Sequence, residues 1–317
     1  MVEAAVTCIS YEEDAEREAV LPFEETESSA RRYRMLALDL DGTLLQSKTR
    51  EMSQATVVHL QNLARRGVQI SFCTGRSVQS VVAHVQRLDL HLDPFPVVTT
   101  NGSEGVLIHP DLRMERLFSS TLSVQAANRI HDVAMKRGYQ TLWYHGGSIF
   151  AHAHNPQCLR LIRRFESLSK CKVVIGENRV DPSVMDSPPI RVVLLLSRRV
   201  FSNAVDDLNR EFLEEDISIA PLPGFCCIEL LGADVNKGKG LANLCDKLQI
   251  SLSDCVAIGD GDNDYEFLQM AGLGICMKNG TARARSAANM VTQWTNNEDG
   301  VVKALEHLEH LDMLDFK

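Results

Sequence analysis

The sequence lacks an excess of basic residues. Its 33 lysines and arginines are outnumbered by 42 aspartates and glutamates, a net charge of -9. Nucleic acids and acidic membrane surfaces are bound by basic faces, so neither is an expected partner. A small phosphorylated metabolite stays open, because local charge decides its binding. No run reaches the roughly 18 apolar residues of a membrane span, and no apolar signal core opens the chain. No C-x-x-C pair occurs among the nine cysteines: Cys8, Cys73, Cys158, Cys171, Cys226, Cys227, Cys245, Cys255 and Cys276. Most lie in apolar runs, which reads as reduced core thiols in a reducing compartment, the cytoplasm. His152-Ala153-His154 is the one pair of histidines two residues apart, and its spacing suits one face of a strand edge better than zinc. Internal repeats and low-complexity tracts are missing too. Nothing in the sequence sets an oligomeric state.

What is present is an ordinary globular composition, 44% hydrophobic and 24% charged over 317 residues, a length that allows about two domains. Residues 1–33 carry nine acidic residues against three basic ones. That balance suits a solvated, disordered arm, although Ser10-Tyr11-Glu12-Glu13 fits a capping box.

From Met35 the texture changes. Met35-Leu36-Ala37-Leu38 reads as a buried strand ending on Asp39 and Asp41, two residues apart, and then Gly42. Residues i and i+2 of an extended chain point the same way. Two carboxylates so placed repel unless a cation or a shared proton relieves them. Nothing basic lies in the stretch, and a hard divalent cation, Mg²⁺, suits carboxylate oxygens.

Ser53 then caps an expected helix with Val57, Leu60 and Leu63 on one face, stopped at Gly67. A strand over 68–73 ends at Thr74-Gly75-Arg76, and a helix opens at Ser77. A strand over 96–100 ends at Asn101-Gly102. Strand, helix, strand, helix, strand is the pattern of a parallel sheet with crossover helices. Ligands of such sheets sit at the carboxyl ends of the strands. Residues 105–232 read differently, as short strands with helical patterns near Val124–Arg137 and Asn203–Phe212, and suggest a separate α+β domain. From 233 the alternation resumes, with a strand over 254–258 ending at Gly259-Asp260-Gly261-Asp262-Asn263-Asp264.

Four separated segments thus bring polar residues to one inferred sheet mouth: Asp39/Asp41, Thr74, Lys237 and Asp260/Asp264. Taken singly each has an ordinary reading. Asp41-Gly42 is a common turn dipeptide, a lone lysine is usually solvated, and a threonine after a strand is a turn residue. Taken together they suit phosphoryl transfer. Asp260 with Asp39 completes an oxygen-ligand site for Mg²⁺. Thr74 and Lys237 can hold phosphate oxygens. Asp39 can attack phosphorus, and Asp41 can protonate the leaving oxygen and then activate water.

With these motifs the chain resembles the haloacid dehalogenase superfamily of aspartyl phosphatases. Asp39-Leu40-Asp41-Gly42-Thr43 matches its first motif, Thr74 its second, Lys237 its third and Gly259–Asp264 its fourth. Thr74-Gly75-Arg76, Thr100-Asn101-Gly102 and Lys237-Gly238 resemble the Cof-type branch, whose α/β cap is inserted between the second and third motifs. The resemblance implies a Rossmann-like α/β core with a mostly parallel sheet, divided as 34–104 and 233–317, around a cap at 105–232. It also implies Mg²⁺-dependent hydrolysis of a phosphate monoester, a sugar phosphate or a nucleotide- or flavin-related phosphate, through an aspartyl-phosphate on Asp39. The metal would be held by Asp39, the Asp41 backbone carbonyl and Asp260, with Asp264 beside them. The phosphate would be met by Thr74, Gly75, Lys237 and Asn263. Lys239 competes with Lys237 for the third motif, and Lys237 is preferred because Leu241 follows its Lys-Gly pair at an apolar helix position. Asn236 stands where the family often has Ser. Within the cap, His145, Arg191 and Glu229 are the polar candidates for contact with the leaving group, although His145-Gly146-Gly147 also fits a hairpin turn. A phosphomutase would use the same intermediate but pass the phosphoryl group to a sugar hydroxyl. A non-catalytic relative would be expected to have lost Asp39, Asp41 or Asp260.

Overall fold

The computed structural model describes residues 32–90, 94–145, 147–169, 171–176, 187–222 and 225–315. Most of the expected acidic arm, with Cys8 and the Ser10–Glu13 capping box, lies outside the described residues, as do Gly146 and Pro223.

The first half of the fold alternates as its apolar spacing demands: β1 (Met35–Leu38), α1 (Gln54–Arg65), β2 (Gln69–Cys73), α2 (Val78–Leu88) and β3 (Phe95–Thr99). Ser53 caps α1 by accepting from the Thr56 N–H at 3.0 Å, and Gly67 turns the chain out at φ +95°. Two antiparallel strands follow, β4 (Glu104–Ile108) and β5 (Met114–Ser119). Next come α3 (Val124–Arg137), β6 (Gln140–His145), β7 (Ser148–Ala151), α4 (Pro156–Ser169), β8 (Val174–Ile175) and β9 (Arg191–Leu195). The order continues with α5 (Arg198–Glu211), β10 (Ile217–Leu222), β11 (Cys227–Gly232), α6 (Lys237–Leu248), β12 (Cys255–Gly259) and α7 (Tyr265–Met270). It ends with β13 (Leu273–Cys276), α8 (Ala282–Ala287), β14 (Met290–Val291) and α9 (Gly300–His310).

These strands form two sheets. The first runs β14-β13-β12-β1-β2-β3-β4-β5, parallel from β14 to β3 and antiparallel beyond. The second runs β10-β11-β9-β6-β7-β8 and is antiparallel except for β7 with β8. The change from one sheet to the other falls after Ser119, later than the 105 expected from the sequence. Glu104–Ile108 pairs with β3 and recruits Met114–Ser119 as the sheet's last strand. At the other border Tyr33, expected in the arm, is buried and bridged to Leu314.

β1 is apolar throughout because it is covered on both faces. Leu36 and Leu38 pack toward α1, α2 and α9, while Met35 and Ala37 pack toward α6, α7 and α8, the two-sided burial typical of parallel strands. In the second sheet Trp143, Val192 and Leu194 face α3 and α5. Leu142, Val193 and Leu195 face the other way, toward Ile162 and Phe165 of α4. Among the described residues eight cysteines are free, most of them buried, and no helix is long and apolar enough to cross a membrane.

Candidate active site

Because β1, β2, β3 and β12 are parallel, their carboxyl ends open on the same side of the first sheet. Asp39 and Asp41 leave β1 there, Thr74 leaves β2, Asn101 leaves β3 and Asp260 leaves β12. Lys237 reaches the same place from the first turn of α6, which Asn236 caps by accepting from the Lys239 N–H at 2.8 Å. The departure from Ser to Asn at 236 therefore keeps a good cap.

The centre is a buried charge cluster. Lys237 is 1% exposed, and its ammonium donates to Asp39 Oδ1 and to Asp264 Oδ1, each at 2.6 Å. Asp264 turns its other oxygen to the backbone, accepting from the N–H groups of Asp260 (2.9 Å) and Gly261 (2.8 Å). Asp260 accepts from Thr43 Oγ1 at 2.8 Å. Asn279 donates to the Gly42 carbonyl at 2.8 Å. Gly42 sits at φ +85°, and a Cβ there would lie 2.2 Å from Asp260 Oδ2. Glycine is thus required twice, by the left-handed turn and by the close approach of a carboxylate.

Asp39, Asp260 and Asp264 bring carboxylate oxygens within 4.8 Å of one another. One ammonium faces three carboxyl groups, so negative charge is in excess. The protonation equilibria report it. Burial, then the Asp264 and Asp260 charges, lift the Asp39 carboxyl well above the usual range against the pull of Lys237. Burial and the neighbouring carboxylates push Asp260 up to about 6. Lys237 is held protonated: burial opposes its charge, but Asp264 and Asp39 outweigh it. A donor set made wholly of carboxylate oxygen, crowded and short of positive charge, fits a hard divalent cation.

Asp41 is placed differently. Its side chain is half exposed and receives both Arg76 Nε (2.6 Å) and Nη2 (2.7 Å) in a two-pronged pair. Burial raises its carboxyl, but the Arg76 hydrogen bonds and charge prevail and hold it below the usual range. Its carboxylate is therefore outside the three-acid cluster. Arg76 was legible only as part of Thr74-Gly75-Arg76; nothing local says that it turns onto Asp41. Thr74 is buried and accepts from the Arg76 N–H at 3.2 Å.

Asn263 donates to Asn101 Oδ1 at 2.9 Å. Lys239 is turned away onto the exposed Asp234, which leaves Lys237 as the lysine of the cluster. Of the three polar candidates in the second sheet, Arg191 and Glu229 are buried and ion-paired to each other beside the first sheet's loops. His145 instead bonds Ser187 at 2.8 Å. His152 and His154 stand with ring centroids 4.3 Å apart. Thr43 and Asn101 stand in motifs legible in the sequence, whereas Asn279 carried no signal, since it acts through Gly42, distant in sequence.

A family model described as haloacid dehalogenase-like hydrolase matches residues 36–305. The chain is 28% identical over 284 residues to the 5-amino-6-(5-phospho-D-ribitylamino)uracil phosphatase YitU of Bacillus subtilis, covering 86% of this chain and 96% of that one. It is 26% identical over 286 residues to the HMP-PP phosphatase of Klebsiella pneumoniae, covering 84% and 97%. Among solved structures, a haloacid dehalogenase-like hydrolase from Bacteroides thetaiotaomicron superposes with a TM-score of 0.72 at 23% identity, over 87% of this chain and 100% of that one. At that identity the likeness is one of fold. The family model covers most of the chain, and the chain belongs to the haloacid dehalogenase-like hydrolases.

Proposed function

We propose that this chain hydrolyses the phosphate monoester of a small metabolite, a sugar phosphate or a nucleotide- or flavin-related phosphate, with Asp39 as the nucleophile. The observation that carries the reading is Lys237, buried and bonded at once to Asp39 and Asp264 beside Asp260. An interior cluster of this kind is expensive to assemble for stability alone, and it stands where ligands of open parallel sheets bind.

In this reading an Asp39 oxygen attacks phosphorus, and the ester oxygen leaves with a proton from Asp41. Asp41 then takes a proton from water, the water oxygen attacks the phosphoryl group, and phosphate departs as Asp39 is regenerated. Asp41 is paired with Arg76 in the resting arrangement, so its acid role requires the carboxyl to turn off the guanidinium and take up a proton. Thr74, Gly75, Lys237 and Asn263 hold the phosphate oxygens, and Lys237 offsets their charge. Mg²⁺ fits the oxygen donors of Asp39, Asp260 and Asp264, joined by the Asp41 backbone carbonyl. When bound it would offset phosphate charge and keep Asp39 ionised. The segment carrying the second sheet serves as a cap that shuts out water and selects the leaving group.

The test is phosphate release from a panel of phosphate esters, with Mg²⁺ and with chelator. Release that stops with chelator and returns with Mg²⁺ is expected. Absence of release from every ester, or release indifferent to chelator, overturns the reading.

A further inference from the structure

Asn101 stands at one of the polar contacts between the two sheets. Its Oδ1 accepts from Asn263 Nδ2 at 2.9 Å, and its Nδ2 donates to Glu229 Oε2 at 2.6 Å. Glu229, on β11, is 1% exposed and ion-paired with the buried Arg191 of β9. Arg191 lies over the Tyr144 ring, 3.9 Å from its centroid, and donates to the Gly75 carbonyl at 3.1 Å. One buried ion pair of the second sheet therefore touches two loops of the site. It reaches the Thr74–Arg76 loop directly, and the Asp260–Asp264 turn through Asn101 and Asn263.

Three further observations mark Asn101 as a shaped position. Thr100 and Asn101 are both left-handed, at φ +53° and +52°, a conformation that Asn takes readily but that the β-branched Thr100 beside it adopts only where its surroundings enforce it. Gly75 leaves the room that Asn101 uses, since a Cβ there would lie 2.9 Å from Asn101 Oδ1. The pair itself is an odd choice for stability, because two charges taken out of water gain little over an apolar contact.

We propose that Asn101 is a positioning residue that couples docking of the second sheet to the site: seating of the Arg191–Glu229 pair on Asn101 and Gly75 fixes Asn263 and the two loops. Its kinetic consequence rests on the phosphatase reading; its structural consequence does not. With the pair seated, the Asp260–Asp264 turn and the Thr74–Arg76 loop are held together. With the pair unseated, both loosen and Asn263 loses its acceptor's anchor.

The test exchanges the partners. Asn101→Asp sets a carboxylate against Glu229, and Glu229→Gln removes the charge that Asn101 and Arg191 share. The double variant restores one carboxylate and one amide at the contact, with donor and acceptor exchanged and the same total charge beside Arg191. Asp tolerates the left-handed backbone much as Asn does. Hydrogen exchange at residues 73–76 and 259–264 is the first readout. Each single variant is expected to speed exchange in both segments and to lower kcat roughly tenfold with KM little changed, the size of one lost charge-assisted hydrogen bond. The double variant is expected to return to within about threefold of the starting protein.

Single variants that exchange and turn over like the starting protein would overturn the coupling, as would a double variant no better than its singles combined. Should Asn101→Asp fail to fold by circular dichroism, Asn101→Ser removes both hydrogen bonds without adding charge, and the same faster exchange is expected of it. A starting protein inactive on every ester would defeat the phosphatase reading, while the exchange comparison would still decide the coupling.

Discussion

Replacing Lys237 with Met removes the ammonium that joins Asp39 to Asp264. Both bonds are 2.6 Å long, and the three side chains are buried, at 1%, 6% and 0% exposure for Lys237, Asp39 and Asp264. Removing one partner of a buried ion pair costs about 3–5 kcal/mol, because the remaining charge is left uncompensated. Here the loss leaves three carboxyl groups within 4.8 Å of one another with no cation among them, so the upper part of that range is expected in chelator at pH 7. The carboxyl groups can escape by taking up protons, and the deficit of the variant should shrink as pH falls. On the lysine side the sign is opposite. Its folded pKa is raised, so its contribution is complete below the unfolded value of roughly 10.4 and is lost only as pH rises through the folded one. Mg²⁺ should recover more stability in the variant than in the starting protein, since it faces more uncompensated charge there. Urea unfolding of both proteins, in chelator and in Mg²⁺, across pH 5–9, reads all of this, provided the urea dependence is unchanged. A variant within about 1 kcal/mol of the starting protein in chelator at pH 7 would show that the ammonium does not hold the carboxyl groups together, because a solvated lysine is worth no more than that.

Two other substitutions probe the neighbouring groups. Gly42→Ala forces a Cβ into the left-handed turn and to 2.2 Å from Asp260 Oδ2. It should cost about 1–2 kcal/mol for the backbone and raise the Mg²⁺ concentration needed for half-maximal phosphate release; unchanged Mg²⁺ dependence would show that Asp260 takes no part. Arg76→Met frees Asp41, whose carboxyl the guanidinium now holds below the usual range. A depressed carboxyl stabilises above its unfolded pKa, so the variant's deficit should be present at pH 6 and fade as pH falls below about 4. The Asp41 side chain is half exposed, so the deficit should not exceed about 1 kcal/mol. Urea midpoints at several pH values measure it.

The ends of the parallel strands were legible because three local signals coincide at each: an apolar run, a polar residue and a turn. Asp39, Thr74 and Asp260 are of this kind, and so is Lys237 at the start of a helix with a regular apolar face. What escaped was set by tertiary partners. Arg76 could have faced solvent or phosphate; that it clasps Asp41 depends on how β1 and β2 are placed. Asn279 reaches Gly42 from 237 residues away. Met114–Ser119 is an exposed edge strand with no clean alternation of apolar and polar residues, so the first sheet extends further than its pattern suggested. The helix over Pro156–Ser169 buries only Cys158, Ile162 and Phe165, too sparse a stripe among arginines to stand out. The helix over Arg198–Glu211 starts earlier than its apolar spacing implied, because its first turn faces solvent.

Asp39 is proposed to carry the phosphoryl group, and Asp39→Asn removes that capacity alone. Its side chain is buried at the end of β1, and the substitution keeps its size while removing the charge that attacks phosphorus. A folded protein is expected, judged by circular dichroism, whose phosphate release in Mg²⁺ from the best ester of the panel falls to background. Phosphate release retained by that variant would contradict the proposed role.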